Sequence, residues 1–110
     1  MKTPHLDTLV MLQRPVKVRD DKGGEVVTPT DVEQVWIHSE PSRVGERLAA
    51  SLVQGMVALR IELRYRTDIT AGWRLKTASG QTAEVAGPPV DPDGQRRWLR
   101  LECVSERWLV

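Results

Sequence analysis

Residues 57–77, VALRIELRYRTDITAGWRLKT, constrain the fold of this chain more than any other stretch. Val57, Leu59, Ile61, Leu63 and Tyr65 fall on one side of an extended backbone, and Ala58, Arg60, Glu62, Arg64 and Arg66 on the other. Side chains alternate across a strand, so this period-2 pattern predicts a long strand with one face in a core. Thr67 to Gly72 then make a tight connection, with Gly72 able to take a positive φ, and a second strand begins at Trp73. A hairpin of this kind is marginal alone in water and needs more strands to cover its apolar face.

Those strands are legible on either side. Thr8 to Arg14 read as a strand, Pro15 interrupts it, and Val16 to Asp20 resume; a proline in such a run implies an edge position or a bulge. Asp20-Asp21-Lys22-Gly23-Gly24 is turn chemistry. Residues 25–30 begin a returning strand that Pro29 and Asp31 loosen, and Val32 to His38 form a clearer one, ended by Pro41. Val44, Leu48, Leu52 and Met56 recur every fourth position after Ser42, which reads as an N-cap, so 44–53 is expected to be a short helix or an ordered loop. Trp73 to Thr77 and Thr82 to Ala86 flank a Ser79-Gly80 turn. A Pro- and Asp-rich loop follows, then a last strand over 97–104 and a tail at 105–110 that frays or docks on a neighbour. About six or seven short strands with one helical or loop insertion predict an all-β fold closed as a small β-barrel, a single domain over residues 1–110.

Composition narrows the function. Sixteen basic and 15 acidic residues leave a net charge of +1, whereas a free-standing nucleic-acid binder ordinarily carries a basic excess for phosphate contacts. The single cysteine, Cys103, permits no internal disulfide and reads as a small buried apolar residue, which fits a reducing compartment. No segment has the length and apolarity of a signal peptide or membrane span, so synthesis in the cytoplasm and no membrane partner are expected. His5 and His38 lack ligands at metal spacing, and Asp20-Asp21 and Asp91/Asp93 sit in turns where Asp bonds local backbone. Phosphate-loop, nucleophile-elbow and zinc-protease motifs are absent from the sequence; the expectation is a non-enzyme with no cofactor.

The outward residues are the candidate site. Arg60, Arg64, Arg66 and Arg74, with Lys76, line the outer face of the 57–77 hairpin. They are a solvated face that resists aggregation, an interface pairing with carboxylates of a neighbouring subunit, or phosphate contacts. Glu62 and Asp68 among them favour ion pairs over a pure phosphate groove. Trp36 and Trp98 lie opposite aliphatic strand faces, so they look outward if those faces are core, as interface anchors do. The candidate subunit interface is therefore Trp36, Arg60, Arg64, Arg66, Arg74 and Trp98.

Pieces of the chain in order resemble the head–tail joining proteins, also called head-closure or stopper proteins, of long-tailed phages. VMLQRP, the Asp-Asp-Lys-Gly-Gly turn, VEQVWIHSEP, GERLAA, ALRIELRYRTDITAGWRLK, Gln81 to Val85 and WLRLECVSE carry the likeness. The family often has an aromatic residue about two positions before Val85; here Ala83 stands there, and Trp73 or Trp98 fills the space instead. The resemblance implies a ring of about six or twelve subunits. That ring lies below the portal and its adaptor, above the tail terminator or tail tube, and surrounds double-stranded DNA without reading its sequence. It implies residence in the virion of a phage or of a phage-derived particle such as a gene transfer agent. It also implies that residues 40–56 project toward the channel as a gate, with Arg43, Glu46, Arg47, Leu48, Leu52 and Gln54 as gating residues. The alternatives are a tail-terminator or tail-completion ring and, more remotely, a nucleic-acid-binding barrel.

Overall fold

The computed structural model describes residues 5–42, 56–106 and 108. Six strands form within them: β1 (Thr8–Arg19), β2 (Glu25–Pro41), β3 (Val57–Arg64), β4 (Arg74–Thr77), β5 (Thr82–Val85) and β6 (Trp98–Ser105). They close into a barrel in the order β1-β2-β3-β6-β5-β4, with β4 returning to β1. Every pairing is antiparallel, and the closing seam joins Val10–Gln13 of β1 to Arg74–Thr77 of β4.

The alternation in β3 does what its pattern demands. Leu59, Ile61 and Leu63 are buried, and across β6 they face Cys103, Leu101 and Leu99, equally buried. Val10, Leu12, Ile37, Leu75, Ala83 and Val85 complete the lining from the other strands, and Ile69 and Trp73 fill in from the β3–β4 connection. Removing these side chains from water supplies the main drive to fold, roughly 1.5–3 kcal/mol for each large one. Trp73 is buried in the same cluster as Ala83, at the level of Val85, whose N–H donates to Trp73 O at 2.8 Å. Gly72, at φ +96°, allows the chain to enter β4 while its N–H bonds Val85 O at 2.9 Å.

Two stretches depart from the sequence-based expectation. β1 and β2 do not break at Pro15 or Pro29: they run as one continuous ribbon over 12 and 17 residues. Only residues 10–13 of β1 touch β4, and only 38–41 of β2 touch β3. Beyond a bulge at Val32, where Leu12 faces Glu33 but Gln13 faces Asp31, the two strands leave the barrel sheet as a two-stranded arm, whose base at Pro15, Val27 and Pro29 shares a groove with Gly72, Arg74 and Glu84. A three-residue turn closes its tip: Asp20 N–H donates to Gly24 O at 2.8 Å, and Asp20 Oδ1 accepts from Lys22 and Gly24 N–H at 3.0 and 2.7 Å. Gly23 takes the left-handed position at φ +82° that this turn requires. The Asp20–Gly24 bond sets the phase of the ladder. Val18–Val26, Val16–Thr28 and Arg14–Thr30 are hydrogen-bonded pairs; Lys17–Val27 and Pro15–Pro29 are the intervening pairs whose backbone nitrogens point outward.

The second departure is the outer wall. Ala58, Glu62 and Val104 point out of the barrel yet are buried. Met56 and Ala86 pack on Ala58 and Val104, and the loop after β5 runs back along β6, where Val90 and Arg100 exchange backbone bonds at 2.9 and 2.8 Å. The strand ends also fix a polarity. The arm leaves from the end where β3 terminates and β4 begins. Ser42 and Met56, which bracket residues 43–55, lie at the opposite end, where β2 terminates and β3 begins.

Candidate functional site

Three adjacent strands, β2, β3 and β6, carry most of the outward residues singled out in the sequence. Register places Glu40, Arg60 and Glu102 in one row across them, and His38, Glu62 and Arg100 in the next. Charges of opposite sign therefore alternate along and across the wall. Arg60 binds Glu40 through both Nε, at 2.9 Å, and Nη2, and its Nε lies 3.8 Å from Glu62. The hydrogen bond from Arg60 outweighs partial desolvation and holds the Glu40 carboxyl below its ordinary 4.5; the same bond raises the Arg60 guanidinium. Glu102 accepts from Ser42 Oγ at 2.5 Å, which ties the last described residue of the β2 end to β6. His38 Nδ1, 3.7 Å from Asp7 Oδ1, and Arg100 Nε are buried with no hydrogen-bond partner among the described residues.

Past His38 and Glu62 the pairing of β2 with β3 stops and the strands diverge. A groove of about 270 Å³ opens there between Glu33–Trp36 on one side and Leu63, Arg64 and Arg66 on the other. Arg66 and Glu33, both in its lining, bind each other, and Arg66 also grips Asp68 through Nε and Nη2 at 3.0 and 2.8 Å. Those bonds lower the Asp68 carboxyl and raise the Arg66 guanidinium. Arg64 lies over the Trp98 ring, 5.4 Å from its centroid, directly across the β3–β6 ladder. Trp36 stands on the outer wall with 55% of its surface exposed.

Five of the six candidate interface residues, Trp36, Arg60, Arg64, Arg66 and Trp98, thus share one sector of the wall, while Arg74 stands apart on β4, opposite Glu84 of β5. Three of the four arginines have partners in their own chain, carboxylates for Arg60 and Arg66 and an indole for Arg64. The candidate gating residues Arg43, Glu46, Arg47, Leu48, Leu52 and Gln54 lie outside the described residues. Cys103 is buried on the core face, and burial pushes its thiol far up. Asp91 and Asp93 act as turn residues: they accept from the backbone N–H of Gly94, Arg96 and Gln95 at 3.1, 2.9 and 3.1 Å. No group of three or more His, Cys, Asp or Glu converges as a metal site among the described residues. The arm was missed as a unit; its signal was present in the polar, turn-rich run from Arg19 to Gln34, which offers no face for a barrel core.

Comparison with known proteins places this geometry. The family described as phage head completion protein matches residues 1–106. No curated protein matches the chain in sequence. The solution structure of protein SF1141 from Shigella flexneri 2a superposes with a TM-score of 0.71 at 27% identity, covering 96% of each chain. A chain from the virion of a native gene transfer agent particle superposes with a TM-score of 0.70 at 18% identity, covering 96% of this chain and 98% of that one; at that identity the likeness is one of fold.

Proposed function

We propose that this chain, which belongs to the phage head completion protein family and so to the structural proteins of the virion, forms a ring in the head–tail connector that closes the DNA-filled capsid and seats the tail. The observation that carries the reading is the family match across the whole barrel, from the first residue to the end of β6. Two features of the fold support it. The barrel presents an alternating charge lattice and exposed Trp36 on one sector, a surface suited to a protein neighbour rather than to a run of phosphates. Its two ends are also differentiated, with the arm at one and the clamped feet of residues 43–55 at the other: Ser42 N–H donates to Ala58 O at 3.1 Å.

On this reading the segment 40–56 is the gate. Feet fixed to β3 and β6 allow a loop to change placement without disturbing the barrel, as a two-position element requires. Arg43, Glu46, Arg47, Leu48, Leu52 and Gln54 are the residues that meet the channel, and DNA passes them unread. Trp36, Arg60, Arg64, Arg66, Arg74 and Trp98 bear on the next subunit. The presence of this fold in a gene transfer agent virion agrees with a place in a phage or phage-derived particle.

The test is complementation of filled heads that lack this protein. Adding the chain is expected to stop DNA loss and permit tail joining, and deleting Leu48 to Gln54 is expected to leave the barrel folded while DNA leaks. Binding to tail-tube ends in place of portal–adaptor assemblies would move the chain to the tail-terminator role. A chain that stays monomeric on filled heads and joins no tails would end the connector reading.

A further inference from the structure

The arm is polarised by charge. Over residues 14–19, the β1 side carries Arg14, Lys17 and Arg19 and no acidic residue; over 25–31, the β2 side carries Glu25 and Asp31 and no basic one. Among the described residues, Arg14, Lys17, Arg19 and Glu25 form no ion pair, although Arg19 and Glu25 stand opposite each other. The ribbon thus has one positive edge and one negative edge; Asp31 accepts a neutral hydrogen bond from Gln13 Nε2 at 2.8 Å, and no ion pair among the described residues neutralises either edge.

Its faces are unfinished as well. A two-stranded ribbon is marginal in water without a third surface. Val18, Val26 and Val27 are 48%, 50% and 59% exposed, and Val18 and Val26 share the face that continues the barrel interior. The arm is not built to add a strand to a foreign sheet, because Pro15 and Pro29 sit at outward-pointing positions and remove a donor from the middle of each edge. What remains for recognition is the side-chain charge along each edge.

We propose that the occupant of each edge is the arm of a second copy of this chain, the cationic β1 edge of one copy lying beside the anionic β2 edge of the next. This rests on the ring reading above. Copies related by rotation, with arms pointing the same way, bring these two edges together at every junction. The contact is head-to-tail, the kind that closes into a ring and not into a two-fold dimer. It sets neighbouring Val18–Val26 pairs side by side as one apolar band, and it makes pairing directional, because like edges repel.

The experiment reverses the charges edge by edge in the intact chain, with circular dichroism to verify folding and sedimentation velocity at low salt to read assembly. Lys17→Glu/Arg19→Glu and, separately, Glu25→Lys/Asp31→Lys are each expected to raise the concentration needed for assembly by at least about tenfold. Mixing the two variants restores assembly, since each junction of an alternating ring then meets opposite signs. The fourfold variant assembles with itself but not with wild type. Folded double variants that assemble like wild type, or a mixture that fails to recover, overturn the arm proposal while leaving a ring built on another surface. A wild-type chain that forms no ring, alone or on filled heads, overturns the ring reading itself and this contact with it.

Discussion

Trp108 donates its indole N–H to Ser39 Oγ at 3.1 Å, joining the tail after β6 to the inward face of β2. Its ring packs against the core cluster, so Trp108 docks on the barrel of its own chain. Burying an indole brings a large apolar area, and the bond satisfies its one donor. Trp108→Ala is therefore expected to destabilise the fold by about 2 kcal/mol, below the range for a fully buried tryptophan because this one is only half-buried. Urea unfolding read by circular dichroism checks it: the midpoint should fall with little change in slope. A midpoint like that of wild type would mean that the tail is not part of the barrel.

Cys103 offers a second check on the closed core. It faces Leu59 across β3–β6 and Val85 across β5–β6 with 2% of its surface exposed. Burial, reinforced by Glu102, raises its thiol far above the ordinary value, so the reactive thiolate is not available. The native protein should resist a thiol reagent that labels it at once in denaturant. Cys103→Ser should cost about 1–3 kcal/mol, because the hydroxyl has no free acceptor on an apolar face, and Cys103→Ala distinctly less than a polar replacement if polarity governs. Labelling of the native state as fast as the unfolded one would contradict the barrel.

The two readings that succeeded best, β3 and its β6 partner, did so because one face is buried along the whole length and alternation survives in the residues. The closing seam between β1 and β4 was not legible: only four residues pair there, and short strands carry too little pattern to name their neighbours. Ala58 and Glu62 looked solvent-facing because period 2 reports which side a residue points to, not whether a later loop covers that side. The residues alone left the arginines to solvent, to a neighbouring subunit or to phosphate; the folded chain adds Glu40, Glu33, Asp68 and Trp98 as partners in register or a few residues on. Sequence proximity revealed Asp68; only the strand order reveals Glu40. Pro15 signalled an edge position, and it has one; the interruption expected there and the loosening expected at Pro29 do not occur, because the two oppose each other in one outward-pointing pair and let both strands pass through unbroken.

That opposition can be tested directly. Pro29→Val adds an outward N–H to the middle of the β2 edge without touching a hydrogen bond within the ribbon. Stability should fall by less than about 1 kcal/mol, mainly through the freer unfolded chain. The larger effect should be on association: an edge with a restored donor is a better template, so light scattering of a concentrated, warmed sample should rise faster than for wild type. Pro29→Ala, with the same N–H but lower strand propensity, should lie between them. No change in either variant would show that proline guards nothing at this position.

The Glu40–Arg60 pair on β2 and β3 gives the charge lattice a signature in pH. Hydrogen bonding to Arg60 holds the folded Glu40 carboxyl below its ordinary 4.5, so the unfolded chain binds the proton more tightly. The pair's contribution is therefore complete above that ordinary value and is lost as the pH falls toward the folded one. Asp68, lowered by Arg66, acts in the same direction from an ordinary 3.8. Both side chains of the Glu40–Arg60 pair are 37% exposed, so solvent screening limits the effect to less than about 1 kcal/mol at neutral pH. Glu40→Gln should thus lower stability slightly at pH 7, and the gap to wild type should close once the solution is acid enough to protonate the folded carboxylate. A double-mutant cycle with Arg60→Met separates the pair from its surroundings: its coupling should shrink both in acid and at high salt. Coupling that persisted in acid would assign the contact to packing of the arginine stem against the wall instead of to charge.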